Sequence, residues 1–143
     1  MIYIEGTDGV GKTVTIEELK KHGIICLDRN KETISKNMLF SIPMEKRADV
    51  FENYFRNSND IVIFLVNNNE DEMMRRVLSR DIVDRYDLET NKYNKLYVDT
   101  YNYMKERDLL HKKLYLVDCT DLSLEKQTNE VIRVIQDIDK NKK

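Results

Sequence analysis

The chain has 143 residues, read as a single domain spanning 1–143 that is long enough for a buried core. Its 24 Lys and Arg nearly cancel 26 Asp and Glu to a formal net charge of −2, which excludes the basic footprint of a dedicated nucleic-acid binder. The longest apolar run, Ile61 to Val66, is far too short to span a bilayer, and no signal peptide precedes the first apolar segment. The expectation is a cytoplasmic protein with no membrane and no nucleic-acid partner.

In chain order, Met1-Ile2-Tyr3-Ile4 reads as a buried strand, and Val14, Ile16 and Leu19 mark the helix that follows it. Gly23 stops that helix, and Ile24 to Leu27 form a second strand ending at Asp28-Arg29. Residues 30–43 are polar and irregular and hold the only proline, Pro43. A helix from about Met44 to Asn57 carries Val50, Phe51, Tyr54 and Phe55 on one side, and Ile61 to Val66 is the next strand. Glu70 to Arg80 reads as a helix with a Met73, Met74, Val77, Leu78 stripe. Leu88 to Arg107 is a longer one with Tyr93, Tyr97, Tyr101 and Met104 at spacings of three and four. A last strand covers about Lys113 to Val117, and a helix from Ser123 to Asp139 closes the chain. Short apolar runs alternating with helical stripes predict an α/β fold: three αβα layers around a mostly parallel sheet of about four strands. Cys26 and Cys119 sit in or beside apolar strands and read as small core residues in a reducing compartment. His22 and His111 lack metal-ligand spacing.

Between the first strand and the first helix, Gly6 to Thr13 reads G-x-x-x-x-G-K-T, the phosphate-binding loop (P-loop) pattern in the strand-to-helix context that its mechanism needs. Glycines let successive N–H groups curl inward onto phosphate oxygens, and the helix N-terminus adds partial positive charge. Lys12 reaches the β- and γ-phosphates, and the Thr13 hydroxyl ligates Mg²⁺. A glycine-rich turn with a chance Lys-Thr is the bland alternative, but four specified positions coincide with the right flanking elements. The pattern therefore predicts binding of a nucleoside triphosphate with Mg²⁺ through Gly6, Asp8, Gly9, Val10, Gly11, Lys12, Thr13 and Val14.

Further along, Arg75, Arg76, Arg80 and Arg85 place four arginines within eleven residues. That density suits a lid over about 79–87, since a guanidinium forks onto phosphate oxygens and offsets the charge of a phosphoryl-transfer transition state. The competing reading is a solvated face paired to Asp81, Asp84 and Asp87.

The stretch Ile4-Glu5-Gly6-Thr7-Asp8-Gly9-Val10-Gly11-Lys12-Thr13 resembles the F-E-G-x-D-G-x-G-K-S/T signature of thymidylate kinases. Asp60 to Leu65 is similar to that family's P-D-x-x-x-x-L strand. Arg76, Arg80, Asp84-Arg85 and Glu89 fall where it has R-x-x-x-R…D-R…E, and Tyr93 and Tyr101 match its aromatic positions. Leu116 to Thr120 resembles the I-D-A-S/T turn bordering the adenine, which implies that Asp118, Cys119 and Thr120 lie beside the base. The resemblance implies that Asp8 approaches the 3′-hydroxyl of the monophosphate sugar. It also implies that lid arginines, Arg80 first and Arg85 second, replace the loop arginine for which this chain has Gly9. A salt bridge positioning the lid is the alternative role for Arg85.

The middle of the chain departs from the family, with one strand where members have two. In one alignment an outer edge strand and its helix are missing, and Asp28-Arg29 resembles the D-R-Y/H motif, with Arg29 on the acceptor phosphate and Asp28 near Mg²⁺. The rival alignment sets Met38-Leu39-Phe40-Ser41 against the base-binding L-F-S-A segment and removes the D-R motif instead. Phe40, Phe51 and Phe55 are candidates for stacking on the base, although each suits the core better. The implied activity is transfer of the ATP γ-phosphoryl to a deoxynucleoside monophosphate, dTMP foremost, with Lys12, Arg29, Arg80 and Arg85 as the catalytic set. Alternatives are a kinase for another nucleotide or nucleoside, and a nucleotide-binding regulator without an acceptor site. Family packing further implies a possible homodimer through the Phe51/Phe55 helix.

Overall fold

Six consecutive apolar residues leave a strand no polar face to turn to water, and Ile61–Val66 is accordingly buried on both sides within a parallel sheet. The computed structural model describes residues 1–7, 9–28, 41–81, 83 and 88–141. Along the chain these are strand β1 (Ile2–Gly6), helix α1 (Lys12–Lys21), β2 (Leu27–Asp28), α2 (Met44–Asn57), β3 (Ile61–Val66), α3 (Glu70–Leu78), α4 (Thr90–Glu106), β4 (Leu114–Asp118) and α5 (Leu124–Asn141). The strand order is β2-β1-β3-β4, and every pairing is parallel, with Tyr3 opposite Leu27, Ile4 opposite Ile63, and Leu65 opposite Val117.

Side-chain alternation splits the core into two layers. Ile4, Ile63, Leu65 and Val117 face the α1 and α5 side, where they meet Leu19, Val131 and Ile135. Val62, Phe64, Val66 and Leu114 face the α2 and α4 side, against Phe51, Phe55, Tyr93 and Tyr97. There Phe64 meets Tyr97 edge-on at 4.9 Å between ring centroids, the geometry that aromatic quadrupoles favour. This is the three-layer αβα arrangement expected from the alternating pattern, with four strands and five helices among the described residues. No helix is long and apolar enough to cross a membrane among the described residues. From β1 the chain winds one way to β2 and then crosses to β3 on the other side of β1. The crevice at the carboxyl ends of β1 and β3 is therefore the topological switch point, where open α/β sheets place their ligands.

Two boundaries differ from the sequence-based expectation. The second strand pairs only at Leu27–Asp28, because α1 ends in a Schellman turn: Gly23 is left-handed (φ 78°), and the Ile24 N–H donates back to the Leu19 carbonyl at 3.0 Å. Ile24 thus completes the helix end instead of a ladder, and Ile25 is exposed. Helix α3 stops at Leu78, where the Ser79 hydroxyl donates to the Arg76 carbonyl at 2.7 Å. Of its stripe, Met73 and Val77 are fully buried, but Leu78 is more than half exposed.

Both cysteines are free and buried. Burial pushes the Cys26 thiol up to about 11. Burial, with Asp118 adding to it, pushes Cys119 up to about 12. Unfolded thiols ionise nearer 9.0, so their contribution to stability is complete below that pH and is lost as pH rises through the folded values. The urea midpoint is expected to fall as pH rises from about 9 toward about 11, and a Cys26→Ala, Cys119→Ala variant should lose part of that slope. An identical slope in the variant would remove the cysteines as the cause.

Candidate functional site

At the switch point the chain turns from β1 into α1 through residues 6–12. Gly9 and Gly11 both take φ 89°, a left-handed conformation that costs a residue with a Cβ strain and glycine almost none. Gly11 is the N-cap of α1, which among the described residues has no side-chain cap and has no acidic residue in its first turn. Helix α3 is closed by contrast: Asn69 accepts from the Glu72 N–H at 3.0 Å, and Glu70, Asp71 and Glu72 fill its first turn. The positive end of α1 is thus left for an external anion, while that of α3 is neutralised from within.

A cleft of about 240 Å³ opens over this helix end, bordered by Gly9, Gly11, Thr13, Val14 and the cations Lys12, Arg76 and Arg80. The Lys12 side chain is largely buried, its Nζ 3.2 Å from Asp28 Oδ1 at the end of β2 and 3.4 Å from the Gly6 carbonyl. Arg76 crosses from α3 and donates from Nη1 to the Gly9 carbonyl at 3.1 Å, while its Nε holds Glu72 at 3.0 Å. Arg75 also pairs with Glu72 and is solvent-exposed, so it belongs to the charged helix face. Arg80 lies just past the end of α3, at the rim of the cleft. Three cations around uncapped helix N–H groups make a site suited to a polyanion such as a phosphate chain.

The structure therefore brings together Gly6, Gly9, Val10, Gly11, Lys12, Thr13, Val14, Asp28 and Arg80 from the sequence-based set. Asp8, Arg29, Phe40, Asp84 and Arg85 lie outside the described residues, as do most positions of the expected lid. Asp118, Cys119 and Thr120 lie at and just after the carboxyl end of β4. Asp118 accepts from the backbone N–H and hydroxyl of Thr120, the Thr120 hydroxyl oxygen accepts from Asn68 N–H at 2.9 Å, and Cys119 is buried. Their polar atoms tie the β4 turn to the β3 turn. The adjoining cleft, about 350 Å³, is bordered instead by Asn69, Glu72, Arg76, Asp121 and Ser123. Arg76 borders both clefts, which makes it their junction. For Mg²⁺, the chain offers the Thr13 hydroxyl at the cleft and the Asp28 carboxylate on the Lys12 ammonium. Both are hard oxygen donors, and magnesium completes its shell with water and phosphate oxygens, so the donor set fits. Among the described residues no cluster of three or more His, Cys, Asp or Glu forms a protein-only cage.

Several supporting contacts carry no contiguous sequence signal. Thr7 on the loop bonds the hydroxyl and carbonyl of Thr90, at 2.9 and 3.1 Å. Asn94 of α4 accepts from Asn67 N–H at 2.8 Å and donates to Asn68, pinning the turn after β3. Gln127 of α5 donates to the Val10 carbonyl and to Thr15 Oγ1, both at 2.9 Å. Phe51 and Phe55 are fully buried against the sheet, so neither ring is exposed on α2 for a second copy or a base. A larger cleft of about 410 Å³, bordered by His111, Lys112 and Lys113, lies at the opposite end of the sheet. There Lys113 is bound to the Phe55 and Ser58 carbonyls and His111 to Glu52. Two of its three basic side chains are thus engaged by the protein itself.

No family model and no curated protein matches this chain. Among solved structures, the crystal structure of an uncharacterized protein from Eubacterium ventriosum ATCC 27560 aligns over 95% of this chain and 97% of its own, with 17% sequence identity and a TM-score of 0.45. A likeness at that level carries no argument about function.

Proposed function

We propose that the chain is a shortened, thymidylate-kinase-like nucleoside monophosphate kinase that transfers the γ-phosphoryl of ATP to a deoxynucleoside monophosphate, dTMP foremost. The observation carrying this reading is the convergence of Lys12, Arg76 and Arg80 on the uncapped N-terminus of α1 in one cleft at the switch point. Phosphoryl transfer asks a protein for positioning and charge stabilisation rather than covalent chemistry, and that is what this cleft offers. The loop N–H groups and Lys12 hold the donor phosphates. Thr13 and Asp28 hold Mg²⁺, which when bound neutralises phosphate charge. Arg80 closes on the transferring group, and Arg76 holds the loop carbonyl at Gly9 while facing the same cleft. By resemblance, Arg29 takes the acceptor phosphate, Asp8 the acceptor sugar and Arg85 the lid. The base of ATP lies toward Asn69 and Asp121, on the far side of Arg76. We place the protein in the cytoplasm, where these substrates are.

Incubation with ATP, Mg²⁺ and a panel of nucleoside monophosphates is expected to yield ADP, fastest with dTMP. No ADP above background with any acceptor overturns the kinase reading, and ATP binding without transfer would identify a regulatory nucleotide sensor.

A further inference from the structure

We propose that Gln127 is a positioning residue that sets the direction of the Gly11 N–H, a role that rests on the phosphate-binding reading of residues 6–13. The Val10 carbonyl and the Gly11 N–H belong to one planar trans peptide unit and so point in opposite directions. Gln127 draws that carbonyl toward α5 with a 2.9 Å hydrogen bond. The Gly11 N–H is thereby turned away from α5, to the side where Gly11 borders the cleft. On the Gly11 side of that peptide, little in the loop itself holds this orientation. Reversing the peptide changes φ of Gly11 from its present 89° toward negative values, which glycine accepts equally well. The glycine that permits the curl also permits the flip, and the restraint comes from another element.

Three features mark Gln127 as that restraint. It is fully buried, and both amide protons are used, on Val10 and on Thr15 Oγ1. Its orientation is unambiguous, because the Val10 carbonyl only accepts. Its Oε1 is buried without a hydrogen-bond partner among the described residues, so the amide is held there by what its nitrogen does for Val10 and Thr15. Helix α5 also sits tightly on the loop: a Cβ at Gly11 would lie 2.8 Å from Leu124 Cδ2.

The chain has only four glycines, so protein labelled with nitrogen-15 at glycine shows four backbone amide signals, among them Gly11. In Gln127→Leu the Gly11 signal is expected to move or split in the free protein, and affinity for MgADP to fall about tenfold, the scale of one lost charge-facing hydrogen bond. Thr15→Val removes the other partner of Gln127 and leaves the Val10 bond in place. It controls for stability and should leave the Gly11 signal and the ADP affinity unchanged. Gln127→Met supplies the same readings if the leucine variant folds poorly. An unmoved Gly11 signal, or ADP affinity in the Gln127 variants equal to that of Thr15→Val, overturns the proposal. Because these readings need no phosphoryl transfer, a wild type that binds ADP but phosphorylates no acceptor would remove the kinase reading and leave this one standing.

Discussion

Replacing Lys12 with alanine is expected to slow ADP formation by about a hundredfold to a thousandfold, the effect of removing one preorganised charge from a developing oxyanion. The ammonium rests between Asp28 and the Gly6 carbonyl, in the cleft where donor phosphates are proposed to lie. The fold should scarcely notice the change, because the ion pair that is lost involves an Asp28 side chain more than half exposed, and such pairs contribute little to stability. Steady-state kinetics alongside a thermal melt separates the two effects. Near-normal ADP production in a well-folded variant would mean that residues 6–13 are not the donor site.

Arg80→Ala is expected to lower kcat by about two powers of ten while ATP affinity changes only a few-fold, as for an arginine that meets the phosphoryl group when charge develops on it. Its place at the exposed end of α3, beyond the last helical turn, lets it move toward a bound nucleotide without unpacking Met73 or Val77. Arg76 offers an internal comparison. It holds the Gly9 carbonyl and Glu72, so Arg76→Ala should weaken ATP binding as well as turnover. Titration of ATP into both variants, with rates measured in parallel, distinguishes these patterns. An Arg80→Ala variant that loses ATP binding and transfer in equal proportion would make Arg80 a ground-state ligand and not a transition-state one. Arg85→Ala should act more weakly than Arg80→Ala if that residue braces the lid through Asp81 or Asp87.

Elements with a continuous apolar signal in the sequence match the structure to within a residue or two. Helix α2 spans Met44–Asn57 as expected, since Pro43 marks its start and Phe51 and Phe55 give it one apolar face. Strand β3 was equally plain, because six apolar residues in a row have only one place to go. The edge strand β2 is shorter than its apolar run, pairing only at Leu27–Asp28. Ile24 to Leu27 is apolar enough for a strand, but whether its N–H groups serve a ladder or the end of α1 depends on how Gly23 turns.

The candidate site divides along the same line. Residues 6–13 determine by themselves a glycine-bearing turn, a lysine and a threonine at the head of a helix, because a phosphate cradle made of consecutive N–H groups must be contiguous in the chain. Alternation of strand and helix likewise determined the αβα layering, since each pattern can bury its apolar face in only a few ways. Tertiary structure alone decided which distant groups complete the cleft and hold it. It brought Arg76 onto the Gly9 carbonyl, Thr90 onto Thr7 and Gln127 onto the Val10 carbonyl, while the polar atoms of Asp118 and Thr120 were spent on joining two turns. A glutamine in a helix has the same local propensity whether it faces water or a loop carbonyl more than a hundred residues earlier in the chain. Only the packing of α5 across α1 makes that choice.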